Sequence, residues 1–85
     1  MKIVAVRWID STTFNFWAGK EFVMDSTCRE AYTVGILVGE DELKLTVALI
    51  SSEDHEDFAG WVNIPQGCIL ERMELGDLEF EEGEK

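Results

Sequence analysis

The only histidine of the chain, His55, lies in the run Glu53-Asp54-His55-Glu56-Asp57, five consecutive side chains bearing oxygen or nitrogen. Such a run offers ligands to a hard cation, but it lacks the spaced ligands and turn glycine of an EF-hand loop. Consecutive residues of an extended loop point in different directions, so a solvated loop is expected and no metal site is assigned. Cys28 and Cys68 lie 40 positions apart without a CxxC element. They are read as reduced thiols packed as small apolar groups, not as a disulfide framework or zinc site. Either thiol paired with His55 would make a nucleophile, yet nothing places them together and no glycine-rich elbow surrounds either. Neither GxxxxGK[ST] nor GxGxxG occurs, and carboxylates are too abundant for one acid–base pair to stand out. These residues argue against an enzyme and imply no cofactor.

Charge and aromatics carry more information. With 18 acidic against 7 basic side chains the net charge is −11. A surface this negative repels phosphate backbones and favours solubility or approach to a basic partner, so direct nucleic-acid binding is not expected. Trp8, Trp17 and Trp61, with Phe14, Phe16, Tyr32 and Phe58, are many large rings for 85 residues. Trp8 continues a buried strand and Trp61 opens another, so both are expected in the core. Phe14, Phe16 and Trp17 fall in a turn-rich segment, where exposed rings would mark a ligand pocket or interface. The alternative, a hydrophobic plug at one end of the fold, is the simpler expectation for a small domain.

The elements that must position these residues are strands. Ile3, Val4, Ala5, Val6, Trp8 and Ile9 form a β-branched-rich run that ends at Asp10-Ser11-Thr12-Thr13, whose short polar side chains favour turns. Tyr32, Val34, Ile36 and Val38 share one face of a second strand. Leu43, Leu45, Val47 and Leu49 repeat the pattern after the acidic turn Glu40-Asp41-Glu42. Period-two alternation predicts that each set is the buried face of its strand. Gly35 within that second strand predicts a bend or bulge. The acidic loop 51–57 leads to Trp61-Val62-Asn63-Ile64, the turn Pro65-Gln66-Gly67 and a last strand from Cys68. Asp25-Ser26-Thr27 is expected to cap a single helical turn containing Cys28, Arg29 and Glu30. The composition allows one domain, a β-barrel over residues 1–75, followed by an acidic tail over 76–85 that is disordered after about Phe80. No signal peptide and no apolar run of the ~20 residues that span a membrane are visible, so a cytoplasmic protein is expected.

Five to six short strands with at most one short helix predict a mainly β fold, a small curled barrel. The order of bent strand, hairpin, loop, strand, tight turn and final strand resembles the SH3-like and Sm-like barrels. The glycine and asparagine signatures that Sm-type proteins use around RNA are absent. A second resemblance lies in the segments Trp8-Ile9-Asp10-Ser11, Val34-Gly35-Ile36-Leu37-Val38-Gly39-Glu40-Asp41, Ser51-Ser52-Glu53-Asp54 and Ile64-Pro65-Gln66-Gly67-Cys68-Ile69. These look like small uncharacterised bacteriophage and prophage proteins, which implies a phage accessory protein without a settled activity.

Two functional expectations follow. In the first, the chain is an acidic inhibitor that occludes a host protein with a basic surface. Glu53, Asp54, Glu56 and Asp57 would stand in for phosphates, and Trp61 would serve as an aromatic anchor. In the second, a homo-oligomer sequesters a small nucleotide signal of host defence. Phe14, Phe16 and Trp17 would then stack a base while Arg7, Arg29, Lys44 or Arg72 meets phosphate.

Overall fold

Alternation in the first strand sets the core. In β1 (Lys2–Asp10), Val4, Val6 and Trp8 turn inward and are buried, while Ile3, Ala5, Arg7 and Ile9 lie half-exposed on the outer face. The computed structural model describes residues 1–80. After β1 come α1 (Lys20–Asp25), β2 (Arg29–Glu40), β3 (Lys44–Ser51), β4 (Phe58–Pro65), a 3-10 turn (Gln66–Cys68) and β5 (Ile69–Asp77). All five strands pair antiparallel in one sheet, in the order β4-β3-β2-β1-β5. The architecture is the expected one: mainly β, one small domain, a curled barrel-like sheet with one short helix.

The core joins strands distant in sequence. Leu45 and Val47 from β3 and Ile64 from β4 pack with Val4, Val6 and Trp8 of β1, and half-buried Ala31, Leu37, Val62, Cys68 and Ile69 surround them. Cys68 is thus one of the small apolar groups expected, whereas Cys28 is exposed. Trp8 is the one core side chain with a polar handle, and its indole Nε1 donates to Thr33 Oγ1 at 3.0 Å. That bond satisfies a donor whose burial would otherwise cost about 1–3 kcal/mol.

The face of β2 is the reverse of the expectation. Tyr32, Val34, Ile36 and Val38 do share one face, but it is the outer one, and Tyr32 and Val34 are 75% and 60% exposed. Ala31, Thr33, Gly35 and Leu37 turn inward instead. The reason lies at Gly35. A Cβ there would sit 2.6 Å from the Ala48 carbonyl oxygen and 2.9 Å from Val47 Cγ1, closer than atoms can approach. The concave face of the sheet has no room for the larger set. In β3 the expectation is half right, since Leu45 and Val47 are buried while Leu43 and Leu49 are exposed. The irregularity in the β2–β3 ladder falls between Leu37 and Gly39, two residues beyond the glycine expected to cause it.

The helix is also displaced. It spans Lys20–Asp25, and Cys28 precedes a strand to which Arg29 and Glu30 belong. Ser26 ends the helix instead of opening one, because its Oγ donates to the Val23 carbonyl at 2.7 Å and its backbone N–H turns back to Phe22 and Val23. At the other terminus β5 continues to Asp77, so residues 76 and 77 of the expected tail belong to the sheet. Leu78 N–H then donates to the Met1 carbonyl at 2.8 Å. The expected disorder beyond Phe80 concerns residues 81–85, which lie outside those described. No helix among the described residues is long and apolar enough to cross a membrane.

Candidate functional site: an acidic cleft on the outer sheet face

Two turns at opposite ends of β3 carry the acids. At the β2–β3 turn, Asp41 Oδ1 accepts the backbone N–H groups of Leu43 and Lys44 at 2.8 and 3.0 Å. This is an Asx-type turn, which a short carboxylate side chain forms readily. Glu40 is held beside it: its Oε2 accepts from Arg72 Nη1 at 2.7 Å and from Gln66 Nε2 at 3.1 Å. Gln66 Nε2 also donates to the Asp41 carbonyl at 2.9 Å, so the turn after β4 is stitched onto the turn before β3. The Arg72 and Gln66 hydrogen bonds hold the Glu40 carboxyl below the usual range. The two backbone N–H groups do the same for Asp41.

At the far end of β3, the loop 52–57 is organised around Asp54. Its Oδ1 accepts from Ser52 Oγ at 2.6 Å and from the Glu56 backbone N–H at 3.1 Å, and these bonds lower its pKa. Ser52 Oγ accepts in turn from Asp57 N–H at 3.0 Å, and Ser52 N–H reaches the Asp57 carbonyl at 2.8 Å. His55 takes a left-handed conformation, φ 60°, at the tip. The five consecutive polar side chains are thereby divided by role. Asp54 is consumed in shaping the loop, Glu53 is exposed, and Glu56 and Asp57 line a cleft of the sheet.

Between the two turns lies an open cleft of about 470 Å³ on the outer side of β2, β3 and β4. Val38, Thr46, Asn63, Phe58 and Trp61 line it, and Glu40, Asp41, Glu56 and Asp57 stand at its two ends, with Lys44 the one cation among the described residues that line it. Thr46 Oγ1 donates to Asn63 Oδ1 at 2.7 Å across the β3–β4 pair, which fixes the polar part of the floor. Trp8 is in the core as expected, but Trp61 is not: it is 60% exposed on the outer face, although it sits opposite buried Ala48 in the ladder. It directly follows Gly60, whose φ of 65° lies in the left-handed region that favours glycine. An accessible indole between two acidic turns suits a cation, since the ring face attracts positive charge and the carboxylates supply hydrogen-bond acceptors. Among the described residues, no three His, Cys, Asp or Glu side chains converge as metal ligands would.

Of the sequence-predicted protein-binding set, the fold gathers Glu56, Asp57 and Trp61 at this cleft and leaves Glu53 and Asp54 out. It adds Glu40 and Asp41, whose acidic turn was visible in the sequence, and Phe58, Val38 and Asn63, which only strand pairing reveals. Of the nucleotide expectation, Arg7 and Arg72 line a second, smaller groove on the outer face of β1, β2 and β5 with Tyr32, but Phe14, Phe16, Trp17 and Arg29 do not. Arg7 is engaged by Glu30 and, through Nε, by Glu71 at 3.5 Å. Arg29 pairs with Asp10 in the β1–β2 register, and Arg72 is taken by Glu40. Phe14 and Phe16 pack on Phe22, and neither they nor Trp17 line the cleft or that smaller groove. They are not the expected plug, since Phe14 and Phe16 are 54% and 61% exposed and Trp17 fully so. Among protein-family models, curated proteins and solved structures, none matches this chain.

Proposed function

We propose that the chain is a non-enzymatic binding protein that docks its acidic cleft on a basic surface of another protein. The observation that carries this reading is the cleft itself: four carboxylates, one of them paired with Arg72, and an exposed indole around a floor whose one lysine among the described residues is Lys44. A lysine or arginine of the partner would lie over Trp61, while Glu56 and Asp57 at one end of the cleft, and Asp41 and the Arg72-paired Glu40 at the other, meet further basic groups of the same surface. Two of those acids are already ordered by backbone or side-chain donors, so little entropy is lost when they are engaged. The resemblance to phage accessory proteins extends this reading to a host protein whose basic surface ordinarily holds nucleic acid. Occlusion of that surface would then be the mechanism.

The test is capture on immobilised chain from a bacterial lysate at graded salt, with Trp61→Ala and Glu56→Gln/Asp57→Asn alongside. The expected result is one protein retained by the wild type, lost from both variants and released as salt rises. Retention that is indifferent to salt, or equal for all three chains, would refute the cleft as the docking site.

A further inference from the structure

The chain between β1 and β2 leaves the sheet altogether. Asp10 and Arg29 are paired at its base, Thr12 Oγ1 donates to the Thr27 carbonyl at 3.0 Å across its neck, and every residue from 13 to 30 is exposed. It is nonetheless ordered. Helix α1 closes on the Gly19 carbonyl through Val23 N–H at 3.1 Å, and Phe14, Phe16 and Phe22 meet edge to face with centroids 5.7–6.4 Å apart. Three rings cannot cover one another. Phe14 and Phe22 remain 54% exposed, Phe16 61%, Met24 72% and Trp17 completely.

Area and charge together bear on which surface would cover this arm. At 150–250 Å² per aromatic side chain, the exposed parts of these four rings amount to about 400–700 Å². That equals or exceeds the largest apolar patch of an ordinary monomer, about 300–600 Å². Two such surfaces pressed together reach the roughly 1,000 Å² that a specific interface needs. Within residues 11–28 Lys20 offsets one of Glu21 and Asp25, which leaves a net charge of −1 out of the chain's −11. A basic partner finds almost nothing to attract it there. A second copy of the chain, by contrast, is repelled from every acidic surface except this one, and the projecting arm keeps the two acidic sheets apart.

We propose that residues 11–28 form a homotypic dimerisation arm. Two copies pack arm on arm about a two-fold axis, with Trp17 of each seated on the Phe14–Phe16–Phe22 cluster of the other. In such an isologous contact each arm supplies both the anchor and its receptor, and a single mutation removes two contacts at once. The inference is independent of the cleft, which shares no residue with the arm.

Sedimentation velocity of the full chain over a range of concentrations tests it. The wild type is expected to dimerise, and more tightly as salt is added, because screening removes repulsion between two copies of charge −11 while the apolar contact persists. The variant Phe16→Ser/Trp17→Ser is expected to weaken dimerisation about 30-fold or more with an unchanged far-UV spectrum, as loss of interface anchors does. Trp61→Ala should leave the dimer intact. A wild type that stays monomeric at all concentrations would overturn the proposal, as would a dimer that survives the double substitution. So would a dimer abolished by Tyr32→Glu but not by the arm variant, which would move the contact to the outer face of β1, β2 and β5. Should the arm variant misfold, wild type labelled with 5-fluorotryptophan gives the same answer. The Trp17 resonance should move with protein concentration while those of Trp8 and Trp61 stay put, and a stationary Trp17 signal would count as refutation.

Discussion

The cleft and the arm are tied to the two ends of one strand and built on opposite principles. The first residue of β2 closes the arm and its last, Glu40, stands on the rim of the cleft. The cleft is polar chemistry laid on a sheet whose other side is the core. Its acids are held by strand pairing and by turn hydrogen bonds, so their positions are a consequence of folding. The arm is apolar surface carried on an excursion that the core does not need, since none of its residues is buried. What stabilises the cleft is therefore the fold; what would stabilise the arm is a second molecule. Small domains cover a modest share of their surface, and leaving rings exposed on a segment outside the core is a feature that assembly can use.

That contrast can be broken by mutation, and the largest effect belongs to the core under the cleft. Leu45 is fully buried, and Leu45→Ala should cost about 2–5 kcal/mol in urea denaturation. Trp17→Ser in the arm should stay within about 0.5 kcal/mol when measured on monomer at low concentration. Equal effects would show that the arm belongs to the folding unit. Gly35→Ala comes next, with an expected loss of about 1–3 kcal/mol, because the added methyl must displace the Ala48 carbonyl and the strand behind it. A neutral result there would remove the steric account of which face of β2 turns inward.

Salt separates the two surfaces by sign. Capture of a basic partner at the cleft should weaken as salt rises, whereas arm-mediated dimerisation should strengthen over the same range. Parallel responses would mean that one surface serves both contacts. The smallest effect concerns pH. The folded pKa values of Glu40 and Asp41 are depressed, so their contribution to stability is complete above their ordinary values of 4.5 and 3.8 and is lost as pH falls through the lower folded values. The difference in Tm between wild type and Glu40→Gln should accordingly shrink as pH drops below 4.5, and the dimer should be unaffected by the substitution. A gap that stays constant with pH would mean that the Arg72–Glu40 contact contributes nothing to the cleft's order.

Much of the scaffold is legible in the amino-acid sequence. The runs at residues 3–9, 32–38 and 61–64 are strands, and the turns at Asp41, in the loop 52–57 and at Pro65-Gln66-Gly67 fall where short polar or conformationally restricted residues stand together. The site was legible only in part. Glu56, Asp57 and Trp61 could be named from the acidic loop and the strand beside it. That Glu40 and Asp41 join them depends on Gln66 and Arg72, 25 or more positions away, and no local pattern encodes that meeting. The division of labour in the loop was equally hidden, since Asp54 looks like its neighbours until Ser52 and the Glu56 amide are seen to claim it.

The amino-acid sequence by itself determined the strand periods, the turn positions, the acidic balance and the presence of rings outside the strands. Tertiary structure decided which faces those strands bury. Both faces of β2 carry apolar residues, so alternation alone is symmetrical between Tyr32-Val34-Ile36-Val38 and Ala31-Thr33-Gly35-Leu37. Closeness of β3 at Gly35, together with the need of the buried Trp8 indole for the Thr33 hydroxyl, breaks that symmetry in favour of the smaller set. Once the smaller face is inside, the larger side chains of β2 must lie outside, Val38 joins the wall of the cleft, and the aromatic arm remains uncovered.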